Sequence, residues 1–356
     1  MANEAGTYHD RLTTLQKEIL EILRTFEFLQ EHLKHGAIGE NQATLVGAVG
    51  DTFRRFESGF VPMTPPAAMS DLHQQLVAAV GELNKAFDLF MSKPGPEWTL
   101  AFLHSRGAFC RALYQLYELR ARLPIVATHF VIEGAAAPVA NASSDAPTGF
   151  VQRQRDAERS DYTLYIPEDY SKERPLRLIV ALHGGYGQGS EYVWTWLRPA
   201  RSHGYAVLAP KSLGVTWDMS VPSTDSRSIL RMLAEVTAEY SIDASRVYLT
   251  GLSDGGIFTY IMGLEQSQLF RGLAPIAGAL HPVVDQMLRQ GRGKDTPMFV
   301  VHGVHDFIFP VAFTRQTCNL LKSIGYNLTY TELPEWGHAY PYSINEKLVL
   351  PWFESL

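Results

Sequence analysis

The sequence predicts an all-helical bundle followed by an α/β domain with a mostly parallel sheet covered by helices on both faces. Three observations carry this. Apolar residues at alternating steps of three and four recur in successive stretches through the first third of the chain. A stretch at 134–148 has few large apolar side chains. Beyond it, short β-rich runs alternate with helical ones.

In the first part, Leu12, Leu15, Ile19, Ile22, Phe26, Leu29 and Leu33 fall on one stripe of a helix. The same spacing recurs at Leu45, Val49, Phe53 and Phe56, at Leu72 to Phe90, and at Phe102, Phe109, Leu113 and Leu116. Breakers separate these stretches, Pro62 to Pro66 after the second and Pro94-Gly95-Pro96 after the third, and Ser70 is placed to cap the third helix. Four amphipathic helices with short connections suggest a bundle, expected over residues 1–125, with 126–148 as a linker and the second domain at 149–356. The helical stripes read as core rather than as a ligand box. In the second domain the expected strands are Tyr162 to Ile166, Leu176 to Leu182, Ala206 to Ala209, Val247 to Thr250, Leu273 to Ile276, Met298 to Val301 and Leu328 to Leu333.

Composition narrows the function. A chain of 356 residues with 46% hydrophobic residues and a formal charge of −6 has an ample core but no surplus of positive charge for phosphate backbones, which argues against a nucleic-acid partner. The first residues are polar, and no apolar run reaches the roughly 18 residues that span a bilayer, so a cytoplasmic protein is expected. Cys110 and Cys318 are the two cysteines, with neither CxxC nor Cys/His ligand spacing; neither zinc nor a disulfide framework is expected.

The segment with the most chemistry in it is Gly251-Leu252-Ser253-Asp254-Gly255-Gly256, between the apolar run Val247 to Thr250 and a helical stretch ending at Glu265. A serine on a strand-turn-helix corner adopts a strained backbone that projects its hydroxyl, and it needs small neighbours to do so. The helix beyond it aims amides and its positive end at the same point. A hydroxyl needs a base, and the base needs an orienting partner. Asp306 follows the run Met298 to Val301, and His338 follows Leu328 to Leu333 in Glu335-Trp336-Gly337-His338. Upstream, Leu178 to Leu182 runs into His183-Gly184-Gly185-Tyr186, where Gly185 first and Tyr186 second are candidate oxyanion donors beside the amide of Asp254.

These segments, with Trp217-Asp218 and the run Asp243 to Gly256, resemble the α/β-hydrolase superfamily over about residues 150–356, and within it the carboxylesterase and phospholipase-like serine esterases. The order Ser, Asp, His is that superfamily's. The resemblance implies hydrolysis of a small-molecule ester through an acyl-enzyme, with Ser253 as nucleophile, His338 as base and Asp306 orienting it, and with no cofactor or metal. Two departures stand out: two glycines precede Tyr186 where the hormone-sensitive-lipase type has three, and Asp254 puts an acid after the nucleophile.

Plainer roles compete at several positions. Asp306 can cap the helix near Val311, and His183 and His302 can tie loops together at strand ends. Trp217 is a candidate wall of the site or simple packing. His281 either lines the acyl pocket or faces solvent. Two other functions stay open: a peptidase of the prolyl oligopeptidase type, against which the helical first half argues, and a non-catalytic binding scaffold. The helical domain itself is open to a role as lid, in substrate shaping or in a homodimer.

Overall fold

The computed structural model describes residues 2–33, 35–95, 97–141, 146–153 and 161–356, without the side chains of residues 2–6 and of His35. Pro96 and residues 142–145 of the expected linker lie outside that description. The chain forms two compact units, Met1–Glu133 and Gly134–Leu356.

The first unit contains the four helices α1 (Ala2–Glu31), α2 (Ile38–Gly59), α3 (Ser70–Phe90) and α4 (Trp98–Glu118). Their apolar stripes meet through aromatic rings. Phe26 of α1 stacks on Phe109 of α4 at 5.3 Å, Phe53 of α2 meets Phe87 of α3 at 5.3 Å, and Phe90 of α3 meets Phe102 of α4 at 6.2 Å. Two expectations need correction. Ser70 is the first helical residue rather than the cap, because a 3₁₀ turn at Ala67–Met69 leads directly into α3 without a side-chain cap. The unit also runs past residue 125 to Glu133. A short helix α5 (Pro124–Ala127) and a 3₁₀ turn (Thr128–Phe130) bury Val126, His129 and Phe130, and His129 Nε2 pairs with Glu27 at 3.1 Å. That segment is core of the unit and not linker.

The second unit is built on an eight-stranded sheet in the order β1-β2-β4-β3-β5-β6-β7-β8. The strands are β1 (Gly149–Arg153), β2 (Tyr162–Ile166), β3 (Leu176–Leu182), β4 (Tyr205–Pro210), β5 (Ile242–Leu252), β6 (Gly272–Ile276), β7 (Met298–Gly303) and β8 (Leu328–Leu333). From β4 to β8 all pairings are parallel, while β1 and β2 are antiparallel. Strands β4, β6 and β7 are buried along their whole length and read as continuous apolar runs, as strands covered on both faces do. Edge strand β8, with the sequence LTYTEL, is only partly covered.

Helices α6 (Gly189–Tyr192), α7 (Trp194–His203), α8 (Thr224–Glu239), α9 (Asp254–Glu265), α10 (Asp285–Arg289), α11 (Val311–Ser323), α12 (Tyr342–Ile344) and α13 (Leu350–Glu354) complete the unit. Phe258, Ile261 and Met262 of α9 and Ile229, Met232 and Val236 of α8 share one apolar core with Leu178, Val180 and Leu249 of the sheet. None of the described helices is long and apolar enough to cross a membrane.

Strand β1 escapes the pattern-based reading. Gly149-Phe150-Val151-Gln152-Arg153 has neither strict alternation nor an apolar run, and it is a strand because it pairs antiparallel with β2. The architecture fixes where a site can be, since loops leaving the carboxyl ends of β3, β4, β5, β6, β7 and β8 open on one edge of the sheet.

Candidate active site

Ser253 stands between β5 and α9 with φ 58° and ψ −121°, the left-handed side of backbone space that costs a non-glycine residue roughly 1–2 kcal/mol. Its amide donates to Ile276 O of β6 at 2.9 Å, and its carbonyl accepts the Ile257 amide at 2.9 Å, so both neighbouring elements hold the strained turn. Close packing makes room for it. A Cβ on Gly255 would stand inside 3.0 Å of the carbonyl oxygens of Leu182 and His183, so only glycine lets α9 start directly against the end of β3.

Asp306 and His338 come together from separate loops. His338 Nδ1 lies 2.8 Å from Asp306 Oδ2, and the Ile308 and Phe309 amides donate to Oδ1 at 2.9 and 2.8 Å. Burial alone would raise the acid's pKa. The hydrogen bond and charge of His338, helped by the Phe309 amide and by His302, outweigh it and hold the Asp306 carboxyl below its ordinary value. The loop after β8 reaches β7 because Gly303 has no side chain: a Cβ there would stand inside 3.0 Å of the Trp336 and Gly337 carbonyl oxygens. Among the described contacts the Ser253 hydroxyl makes no hydrogen bond to His338.

The other histidines sort by their partners. His302 is fully buried, with Nε2 donating to Phe309 O at 2.7 Å and Nδ1 facing the Thr314 hydroxyl at 3.0 Å; burial lowers its pKa, opposed by the Phe309 carbonyl and Asp306. It supports the Asp306 loop from beneath, 3.4 Å from Oδ2. His183 is also buried, its Nδ1 donating to Gly184 O at 2.7 Å and its Nε2 accepting the Ser212 amide at 3.1 Å. Burial lowers its pKa to about 3, despite the Gly184 bond, so it stays neutral and ties two loops together. His305 is exposed. His281 is half-buried, and its Nδ1 accepts the Val283 amide at 3.2 Å, so capping the turn Pro282–Val284 sets its ring.

At the other side of Ser253, the amides of Gly185 and Asp254 have no hydrogen-bond partner among the described residues. Tyr186 is different. It sits at φ 59° with its amide donating to Val215 O at 2.7 Å, so this amide is spent on holding the turn and is not a second oxyanion donor. Its ring is 73% exposed. Trp217 also departs from expectation. It is 2% exposed, stacks on Phe258 at 5.2 Å and donates from Nε1 to His183 O at 2.7 Å; it belongs to the core and leaves almost no surface for a substrate.

Two residues of this region were not singled out from the sequence. The Thr216 hydroxyl donates to Asp254 Oδ2, and Asp225, near the start of α8, accepts amides from both ends of the loop that carries Thr216. The only sequence signal was an acid in a first helical turn, which usually marks dipole compensation. Tyr186, Leu213 and Val215 on these loops, and Phe307 and Ile308 on the loop after β7, are all partly in solvent. Among the described residues no group of three or more His, Cys, Asp or Glu side chains is placed to hold a metal ion.

Residues 223–348, about a third of the chain, match the family model described as Phospholipase/Carboxylesterase. A bifunctional acetylxylan esterase/xylanase, XynS20E, from Neocallimastix patriciarum is 32% identical over 162 residues, covering 44% of this chain and 22% of that protein. A probable feruloyl esterase C from Aspergillus niger is 28% identical over 159 residues, 42% of this chain and 56% of that one. The chain thus spans well under two thirds of the length of these relatives. Among solved structures, the S-formylglutathione hydrolase FrmB from Staphylococcus aureus superposes with a TM-score of 0.50 at 16% identity, over 60% of this chain and 99% of that one. The Gly134–Leu356 unit has the α/β-hydrolase fold, with a sequence that is carboxylesterase-like.

Proposed function

We propose that this α/β-hydrolase unit is a serine carboxylic-ester hydrolase that works through an acyl-enzyme, with Ser253 as nucleophile, His338 as general base and Asp306 as the group that orients it. The observation that carries this reading is the backbone of Ser253, held at φ 58° by hydrogen bonds to β6 and α9 while the amide beside it, that of Asp254, has no partner among the described residues. Structures keep such strain where the surroundings over-determine it, and its use here is to present a hydroxyl beside amides aimed at a developing negative charge.

In the first step His338 Nε2 takes the proton of Ser253 as Oγ attacks the ester carbonyl. The carbonyl oxygen gathers the charge and is held by the Gly185 and Asp254 amides. His338 then gives the proton to the leaving alcohol, and the same imidazole activates water to release the acid. Asp306 stays ionised and keeps the Nδ1 proton directed at itself. The relatives named as acetylxylan and feruloyl esterases support an ester substrate whose acid is small or aromatic. The exposed apolar side chains of Tyr186, Val215 and Phe307, on loops that leave the carboxyl ends of the strands, are available to an apolar or aromatic group of the substrate.

The test is labelling of the intact protein with a fluorophosphonate and mapping of the adduct, alongside hydrolysis of p-nitrophenyl esters of increasing chain length. An adduct on Ser253, lost together with turnover in Ser253→Ala while the melting temperature holds, is the expected result. Unchanged esterase activity in Ser253→Ala ends the proposal.

A further inference from the structure

Resting on that reading of Ser253, we propose that Asp225 is a positioning residue for the oxyanion hole: its carboxylate staples the loop 213–218, and the loop fixes the two backbone donors. Asp225 is 1% exposed, at the start of α8. Its Oδ1 accepts the Leu213 amide at 2.9 Å, and its Oδ2 accepts the Asp218 amide at 2.7 Å. A buried carboxylate is costly unless hydrogen-bonded, and bonds to an ionised acceptor are about twice as strong as neutral ones. One side chain therefore holds both ends of the loop.

Between those ends, three consecutive residues reach the site. Val215 O accepts the Tyr186 amide at 2.7 Å, the Thr216 hydroxyl donates to Asp254 Oδ2, and Trp217 Nε1 donates to His183 O at 2.7 Å. These contacts bracket the unpaired Gly185 amide on both sides in sequence and grip the residue that supplies the other donor. The bracket is completed by His183, whose Nδ1 donates to Gly184 O at 2.7 Å. Among the described hydrogen bonds, none from the loop goes to Ser253 or to the His338 imidazole. The loop thus bears on the oxyanion side of the site and leaves the Asp306–His338 pair to other elements.

The far end of the loop is folded back onto α8 by a second acid. Asp218 Oδ2 accepts the Thr224 amide at 2.7 Å and the Thr224 hydroxyl at 2.6 Å, and the Ser223 hydroxyl donates to Asp218 O at 2.8 Å. This brings Asp225 under the loop it holds. Oxyanion donors work only when placed to within about half an ångström, so a loosened loop should weaken transition-state binding more than substrate binding.

The experiment is Asp225→Asn, which keeps the shape but turns one acceptor into an NH2 group facing a backbone N–H. Kinetics with p-nitrophenyl acetate are measured together with the affinity for phenylboronic acid, whose tetrahedral serine adduct puts negative charge in the hole. In the folded variant kcat should fall about 10–100-fold with KM within threefold, and boronate affinity should fall in step with kcat/KM. Unchanged kcat, or a loss carried by KM alone with boronate affinity intact, would overturn the proposal. If Asp225→Asn does not fold, Thr216→Val decides: it removes the grip on Asp254, and kcat and boronate affinity should fall together, whereas wild-type values for both reject the idea. Failure of the underlying reading shows separately, as wild-type protein without a fluorophosphonate adduct on Ser253.

Discussion

His338 Nδ1 meets Oδ2 of Asp306, while the other oxygen of that carboxylate is fixed by the amides of Ile308 and Phe309. The two oxygens therefore have different jobs, and this makes Asp306→Asn informative. The asparagine oxygen has to take the Oδ1 position, where two N–H groups demand an acceptor. Its NH2 group then faces His338 Nδ1 and forces that nitrogen to accept, which puts the ring proton on Nε2, the atom required as base. The expected result is a fall in kcat of about 10³–10⁴-fold at neutral pH with a folded protein. A loss of less than about tenfold in p-nitrophenyl acetate hydrolysis would mean that Asp306 only shapes its own loop.

Trp217 gives the opposite kind of prediction. Its indole stacks on Phe258 at an interplanar angle of 10° and its Nε1 reaches the His183 carbonyl, so it serves packing and the bracket around Gly185 and not a wall for the substrate. Trp217→Phe keeps the stacking and deletes the bond, leaving the His183 carbonyl without that donor. Urea unfolding should show a loss of about 1–3 kcal/mol. KM for p-nitrophenyl esters should stay within twofold at every chain length. A KM that rises steeply for long or aromatic acyl groups would return Trp217 to the substrate wall.

The strands of the parallel sheet were legible from their apolar runs, and the Ser253 and Asp306 segments from lying where such a buried run stops and a loop must begin, whereas the His338 segment follows the partly covered strand β8. Period and position both read along the chain. The oxyanion side is different, because its order depends on atoms that meet only in the fold. Whether the Tyr186 amide is available turns on Val215 O, and whether Trp217 faces a substrate turns on Phe258 and His183. Asp225 is the extreme case. In the one-dimensional pattern it is an acid in a first helical turn, and only the closure of the loop between Leu213 and Asp218 onto it reveals two further bonds. Strand β1 was missed on similar grounds, since its identity comes from its partner β2 and not from its own period. The helical unit's extension to Glu133 likewise shows only in the fold, where Val126, His129 and Phe130 are buried and His129 meets Glu27, far away in sequence.

His183 should leave a signature in the pH dependence of stability. Its pKa is lowered to about 3 by burial in the folded protein, against roughly 6.5 for an unfolded histidine. Between those values the unfolded chain binds the extra proton and the folded chain does not, so stability rises with pH through this window. The contribution is complete above about pH 6.5 and is lost progressively as pH falls toward 3. His302, whose pKa is also lowered by burial, acts in the same direction. Replacing His183 by Gln removes the titration while keeping a donor and an acceptor on the side chain. Urea unfolding between about pH 4.5 and 6 should show a wild-type slope that exceeds the His183→Gln slope by up to about 1.4 kcal/mol per pH unit. The two proteins should run parallel above pH 7, where neither form of the ring titrates. Parallel curves through the acid window as well would mean that the folded protein accepts a proton on His183 after all, and that the tie between Gly184 and Ser212 is looser than its hydrogen bonds indicate.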